Sequence, residues 1–372
     1  MKSTSIDLSE YTVDHKFYPE IKIIVTIKSF DLQAIRKRYL KNKNKKSNRT
    51  GSVNRRESAT GGIAELTIKN GEIPNIQILT KLKEPRGIDS FQDITSFSSE
   101  DKVHIIQGKT LKTLTNPWFS YIHTVDINRK NKDRILISSS GFDSIFEYSI
   151  HDKHQTYEWF AWENGFNHGI DPETADKVFL TRYKEVAERY EEENKKYKLI
   201  SDPGNQVLPT AKRAAFINSV VYDPTNPDNI IATFFHEGAV YEINRITGKA
   251  TKMLDGLKNP HGGIKLKDHH FTGTSTTGGE IVTGNTEKQT RYSFLNLEGK
   301  PDFLKDLEWV QNSKIVNQNF IAIDSNRNAF IIINPQKKLL SRVTFNPNWA
   351  IQDLVVSDLN ENQKNIIRNM KG

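Results

Sequence analysis

The chain has 372 residues, 36% hydrophobic and 10% aromatic, which is too apolar for a disordered chain and leaves room for polar excursions around a core. It has no cysteine, which excludes disulfides, thiolate metal sites and a cysteine nucleophile, and a cytoplasmic location is expected. The formal charge is +8, no apolar run reaches the roughly 18 residues of a membrane span, and Met1–Tyr18 has no apolar signal core, so no membrane role is expected.

In chain order, a polar leader precedes a strand, IKIIVTIKSF, over Ile21–Phe30. The segment Ile35–Ser58, IRKRYLKNKNKKSNRTGSVNRRES, holds much of the excess positive charge and few apolar residues, so residues 35–60 read as a solvated basic loop. No nucleic-acid fold motif accompanies it, and no nucleic-acid partner is expected. GGIAELTI and IPNIQILTKL give two more strands of a first unit that lacks its inner strand. A second unit starts at Pro85-Arg86-Gly87. The third runs from Tyr121 to Ile150, YIHTVDINRKNKDRILISSSGFDSIFEYSI, and continues to YEWFAWENGF.

From Asp171 to about Tyr197 the period changes from two to 3.6. Phe179, Tyr183, Val186, Tyr190 and Tyr197 fall on one helical stripe, and Asp171-Pro172 reads as an N-cap followed by the first helical position. Glu185–Arg189, Glu191–Lys195 and Glu192–Lys196 are spaced as i,i+4 pairs. Residues 171–212 therefore read as a helical insertion, either packed on a rim or serving as a lid.

The fourth unit, from Phe216 to Ala250, repeats the third element by element: IHTVDI falls on INSVVYD, RILISSS on NIIATFF, and GFDSIFEY on HEGAVYEI. A fifth begins at Pro260-His261-Gly262-Gly263 and a sixth covers roughly Val310 to Asn346. AIQDLVVSD, Ala350–Asp358, is an inner strand with no unit after it. A unit of about 40–50 residues with four short strands is the signature of a propeller blade. The expectation is one all-β domain over 1–372, a six-bladed β-propeller in which the C-terminal strand completes the N-terminal blade and removes the open edges.

In such a ring the first strand of every blade faces one channel. Aligned on their polar residue, the inner strands give Arg86, His123, Asn218, His261 and Gln352, with Gln311 or Asn312 as the candidates of the sixth blade. The aligned set has no carboxylate, which disfavours calcium. His123 and His261 could serve as general acid and base, one could be a nucleophile, or the two could hold a divalent metal together with water. Arg86 would hold an anionic group, Asn218 and Gln352 would orient it, and His168, in GFNHGID, could reach the channel mouth. No organic cofactor is expected. His236, His269 and His270 lie in or beside turns and read as surface or capping residues.

The segments IHTVDI…ILISSS and FINSVVYD…NIIATFF, followed by NPHGG, resemble propellers of the arylsulfotransferase type. The resemblance covers about half the chain. It implies a six-bladed propeller that transfers a sulfuryl group through a channel histidine, with Asn and Arg holding the anion. Where that family has histidine, two residues before Asn218, this chain has Phe216. Pro260-His261-Gly262 also resembles the Pro-His-Gly repeat of metal-dependent, ring-opening propeller lyases. The resulting expectation is an enzyme, a transferase or a lyase, acting on a small or medium anionic substrate. The alternative is a non-catalytic scaffold whose basic loop meets an acidic partner.

Overall fold

The computed structural model describes residues 2–42, 49–55, 57–267 and 269–370. Among these, the strands form six antiparallel sheets of four strands and one small three-stranded sheet. Two of the six gain an N-terminal strand laid parallel to their outer edge, Lys2–Asp7 on Lys288–Ser293 and Thr12–Val13 on Leu339–Leu340. Each sheet is built consecutively, as expected for a repeat, with one exception. The C-terminal strand Ala350–Val356 pairs antiparallel with Ile21–Ser29, so one sheet joins the two ends of the chain.

The first strands of the six sheets are Ile88–Phe91, Ile122–Ile127, Ile217–Tyr222, His261–Lys265, Val310–Val316 and Ala350–Val356. Each touches the next in that order, and the last touches the first. The second and third strands pack on both faces, which explains their near-continuous apolar runs. Every residue of Ser144–Ser149 and of Ala329–Asn334 is buried. The cores lie between neighbouring sheets; Ile137, Phe146 and Phe160 of one sheet share a cluster with Ile217, Val220 and Phe234 of the next. The outermost strands are half exposed, as Glu72–Lys83 shows.

Two local expectations are corrected. The stretch opening at Asp171 is not helical. Asp171 Oδ1 accepts from the backbone of Glu173 and Thr174, which makes a turn between the strands His168–Ile170 and Lys177–Thr181. The helix α2 spans only Lys184–Glu192, and Tyr197–Leu199 returns as a third strand. The helical stripe misled because Phe179 meets Tyr190 (ring centroids 4.9 Å apart) from a strand rather than from the same helix. The i,i+4 pair that forms is Lys184–Glu188, while Lys195 bonds Glu193 and Lys196 bonds Asp176.

The basic segment is likewise structured where it is described. Leu32–Asn42 forms helix α1, tied down by Arg36 Nη2 donating to the carbonyls of Ser325 (2.6 Å) and Asn326 (3.2 Å). Residues 49–55 are pinned as well. Arg49 Nη1 donates to Arg213 O at 2.9 Å, Ala211 N–H donates to Ser52 O, and Val53 is buried. The remainder of the expected loop, 43–48 and 56, lies outside the described residues. A last helix, α3 (Glu361–Arg368), starts with an Asn360–Gln363 capping box. No helix among the described residues is long and apolar enough to cross a membrane.

Candidate functional site

The starts of the inner strands share one device. In four of the six sheets the ladder skips one residue, and that residue is the aligned polar one: His123 between Ile122 and Thr124, Asn218 between Ile217 and Ser219, Gln311 between Val310 and Asn312, and Gln352 between Ile351 and Asp353. In the strand of His261 the irregularity follows at once, at Gly262–Gly263. A bulge removes a residue from the pairing pattern and re-aims its side chain. A second feature precedes it. Glu84, Tyr121, Phe216 and Asn259, each two residues before Arg86, His123, Asn218 and His261, have φ of 43–53°. A left-handed conformation is uncommon for such residues and needs surrounding structure to hold it.

Hydroxyls on the second strands accept backbone N–H groups at these strand starts, beside a bulge or just ahead of the ladder. Ser98 Oγ takes Gly87 N–H (3.0 Å), Ser138 Oγ takes Thr124 N–H (2.9 Å), and Thr274 Oγ1 takes His261 N–H (3.2 Å). Ser and Thr at these otherwise apolar positions are the satisfied acceptors that a buried bulge requires.

At this end of the sheets lies a chamber of about 520 Å³. Arg86, His123, His261, Gln311 and Gln352 line it, contributed by five segments far apart in sequence. Lys28, Arg38 and Arg55 add three more cations, and no carboxylate is among the described lining residues. Tyr39, Tyr121, Phe216, Phe235 and Trp309 supply aromatic walls. Helix α1 and residues 50–55 cover it. From the 171–212 insertion, expected as the lid, only Thr210 borders the chamber.

Arg86 is held on two sides. Its Nη2 donates to Glu84 Oε2 at 3.0 Å in a buried ion pair, and its Nη1 lies 3.1 Å from His123 Nε2. His123 Nδ1 donates to Tyr121 O at 2.8 Å, so Nε2 carries the lone pair and accepts from the guanidinium. Burial, with Arg86 and Arg213 close by, holds the His123 imidazole well below its usual pKa, and it stays neutral. His261 Nδ1 is 2.8 Å from Thr276 Oγ1, and burial, with Lys28 as the next cause, lowers its pKa to about 3. Phe216 and Phe235 stand edge-on to the two imidazoles, with centroids 5.2 Å from His123 and 5.5 Å from His261.

The structure thus brings together Arg86, His123, His261 and Gln352, and of the sixth-blade candidates it is Gln311 that lines the chamber. Asn312 turns away and donates to Asp353 Oδ1 at 2.8 Å. Two expected members do not line it. Asn218 Nδ2 donates to Pro260 O at 2.7 Å, which ties one inner strand to the next. His168 packs on Phe179 in the small sheet. His236, read as a turn residue, is part-buried with Nε2 2.8 Å from Thr210 O.

Sequence reasoning missed Glu84, Tyr121, Arg213 and the cover of α1 and residues 50–55. Arg213 is fully buried, with its guanidinium 4.6 Å from the Tyr121 ring and 4.7 Å from the Phe216 ring. The repeat itself held the signal for Glu84 and Tyr121, since each sits two residues before a ring member.

The residues present do not fit a divalent metal. The one nitrogen of His123 that could ligate faces a guanidinium. Among the described residues no group of three His, Cys, Asp or Glu could hold an ion.

No family model matches the chain, and no curated protein matches its sequence. Among solved structures, a chain of a nidogen/laminin complex superposes with a TM-score of 0.51 at 8% identity, over 90% of this chain and 97% of that one. A protein of unknown function from Bacteroides caccae gives 0.49 at 12%, over 90% and 98%. A streptogramin B lyase gives 0.44 at 11%, over 73% and 93%. At these identities, and with two of the scores below 0.5, the comparisons speak for a mostly β, propeller-like fold and for no chemistry.

Proposed function

We propose that the chain is a six-bladed propeller, closed by its C-terminal strand, and an enzyme that acts on a small or medium anionic substrate in the chamber at the inner-strand starts. The observation that carries this reading is the convergence of two neutral, buried imidazoles with four cations and no carboxylate among the described lining residues. Arg86, braced by Glu84 and His123, holds the anionic group as a charge-assisted donor. His123 positions that guanidinium. His261 is the group for proton transfer or nucleophilic attack, because its Nδ1 is engaged by Thr276 and a bound anion would raise its basicity from its low resting value. Gln311 and Gln352 complete the polar wall. The chemistry is group transfer or elimination, and no step uses a metal.

The test compares the wild type with His261→Ala. Each is incubated with a cellular extract of anionic metabolites and the products are followed by mass spectrometry. The expected result is an anion consumed by the wild type and turned over roughly 10²–10⁴-fold more slowly by the variant, with thermal stability retained. An extract left unchanged by both proteins overturns the enzyme reading. The scaffold reading predicts that outcome, together with partner binding that responds to changes in residues 35–58.

A further inference from the structure

We propose that the ligand of the chamber is an amphipathic anion, with its charged head among the cations and its apolar tail in a side chamber beneath α1. This deepens the anion reading above and rests on it. The side chamber, about 70 Å³, shares Lys28, Ile35, Tyr39, Trp309, Gln311 and Gln352 with the main one. Tyr39 and Trp309 meet edge to face at 5.2 Å and stand at the junction. Beyond them the apolar walls are Leu32, Ile35, Leu304, Leu307, Ala350 and Ile351, with Arg36, Ser325 and Asn326 on the polar side. All of these except Ile35 are buried.

Most polar groups at the border bond within the protein, Arg36 Nε being an exception. Arg36 Nη2 serves the carbonyls of Ser325 and Asn326, Asn326 Nδ2 serves Leu307 O at 3.0 Å, and Trp309 Nε1 serves Gln311 Oε1 at 2.7 Å. Water entering such a space finds few partners, whereas methylene groups lose nothing. Since about 10–15 Å³ admits one water-sized group, the space takes on the order of five. The apolar branch opens off a cationic chamber, so one molecule with a charged end and a short hydrocarbon end satisfies both.

The experiment is calorimetric titration of the full chain with inorganic sulfate and with n-alkyl sulfates from methyl to octyl, below their micellar concentrations. Affinity should rise about three- to four-fold per methylene over roughly the first five carbons and then level off. Ala350→Leu, which fills the branch, should abolish the rise and leave methyl sulfate binding unchanged. Leu304→Phe serves the same purpose from another segment if Ala350→Leu does not fold. Ile35→Ala should move the plateau to longer chains. A flat series with sulfate still bound overturns the tail site and leaves the anion site standing. A rise that persists in the filled variants also overturns it. Failure of every sulfate to bind overturns both readings.

Discussion

Replacing Glu84 with glutamine should weaken the protein and strengthen its grip on anions. Glu84 and Arg86 form a buried pair at 3.0 Å, and Glu84 Oε1 also accepts from Ala59 N–H at 3.3 Å. Glutamine keeps the shape and one acceptor but removes the charge that compensates the guanidinium. Breaking a buried pair from one side costs about 3–5 kcal/mol, and the retained hydrogen bond puts the expected loss near the lower end. The same carboxylate opposes any anion on Arg86. At roughly 5–6 Å and an effective dielectric near 20, that repulsion is about 3 kcal/mol, or on the order of a hundred-fold in affinity. Urea unfolding should therefore show a destabilised variant, while calorimetry at matched ionic strength shows tighter sulfate binding. A folded Glu84→Gln protein that binds sulfate no better than the wild type would refute the argument that Arg86 is the anion's seat.

Three further outcomes follow from the geometry. Gly262→Ala should destabilise by roughly 1–3 kcal/mol and lower the melting temperature, because φ is +63° and the new Cβ would sit 1.8 Å from Asn312 Oδ1, which would have to move. His261 is neutral when folded down to about pH 3 but protonates near 6.5 when unfolded, so the unfolded chain binds the extra proton in that window. Its contribution is complete above about pH 6.5 and is lost as pH falls. His261→Gln should flatten the stability–pH curve between about pH 6 and 4 by about 1.4 kcal/mol per unit, and an unchanged slope would contradict the burial of a neutral ring. Arg327, fully buried between Glu308 (2.9 Å) and Asp324 (2.8 Å), does not itself line the main chamber. Arg327→Met should cost about 3–5 kcal/mol by urea unfolding while leaving sulfate affinity unchanged in the folded protein.

The repeat was readable because inner, second and third strands meet the same environment in each sheet, so like residues recur at like places. That is why Arg86, His123, His261 and Gln352 could be aligned without coordinates and why Ala350–Asp358 declared itself a strand lacking a sheet. The failures have a common cause. Asn218 matches His123 in register and is bulged in the same way, yet its amide finds the Pro260 carbonyl 2.7 Å away on the next strand. Which neighbour a re-aimed side chain meets is set between sheets, and periodicity within one sheet carries no information about it. Helix α1 was hidden for a related reason. Its sequence opens a basic run, which masked the few apolar residues Leu32, Ile35 and Tyr39 that face the protein, and it is fastened by Arg36 reaching carbonyls some 290 positions away. The stripe from Phe179 to Tyr197 looked helical because residues on two strands and a helix happened to share the period.

The bulge also explains why function can concentrate at this end of the sheets. An inner strand in regular register directs alternate side chains into the packed spaces between sheets, where a polar group must find a protein partner. One skipped residue breaks the alternation at a single position, and a Ser or Thr on the second strand meets the backbone cost, as Ser138 and Thr274 do. The position so released is then nearly independent of the core. His123, Gln311 and Gln352 occupy equivalent places with different side chains, while the Ile and Val residues around them stay apolar. Exchange between His and Gln at the bulges of His123, Gln311 and Gln352 should therefore disturb stability less than exchange at the apolar positions on either side, and it should change what the chamber binds.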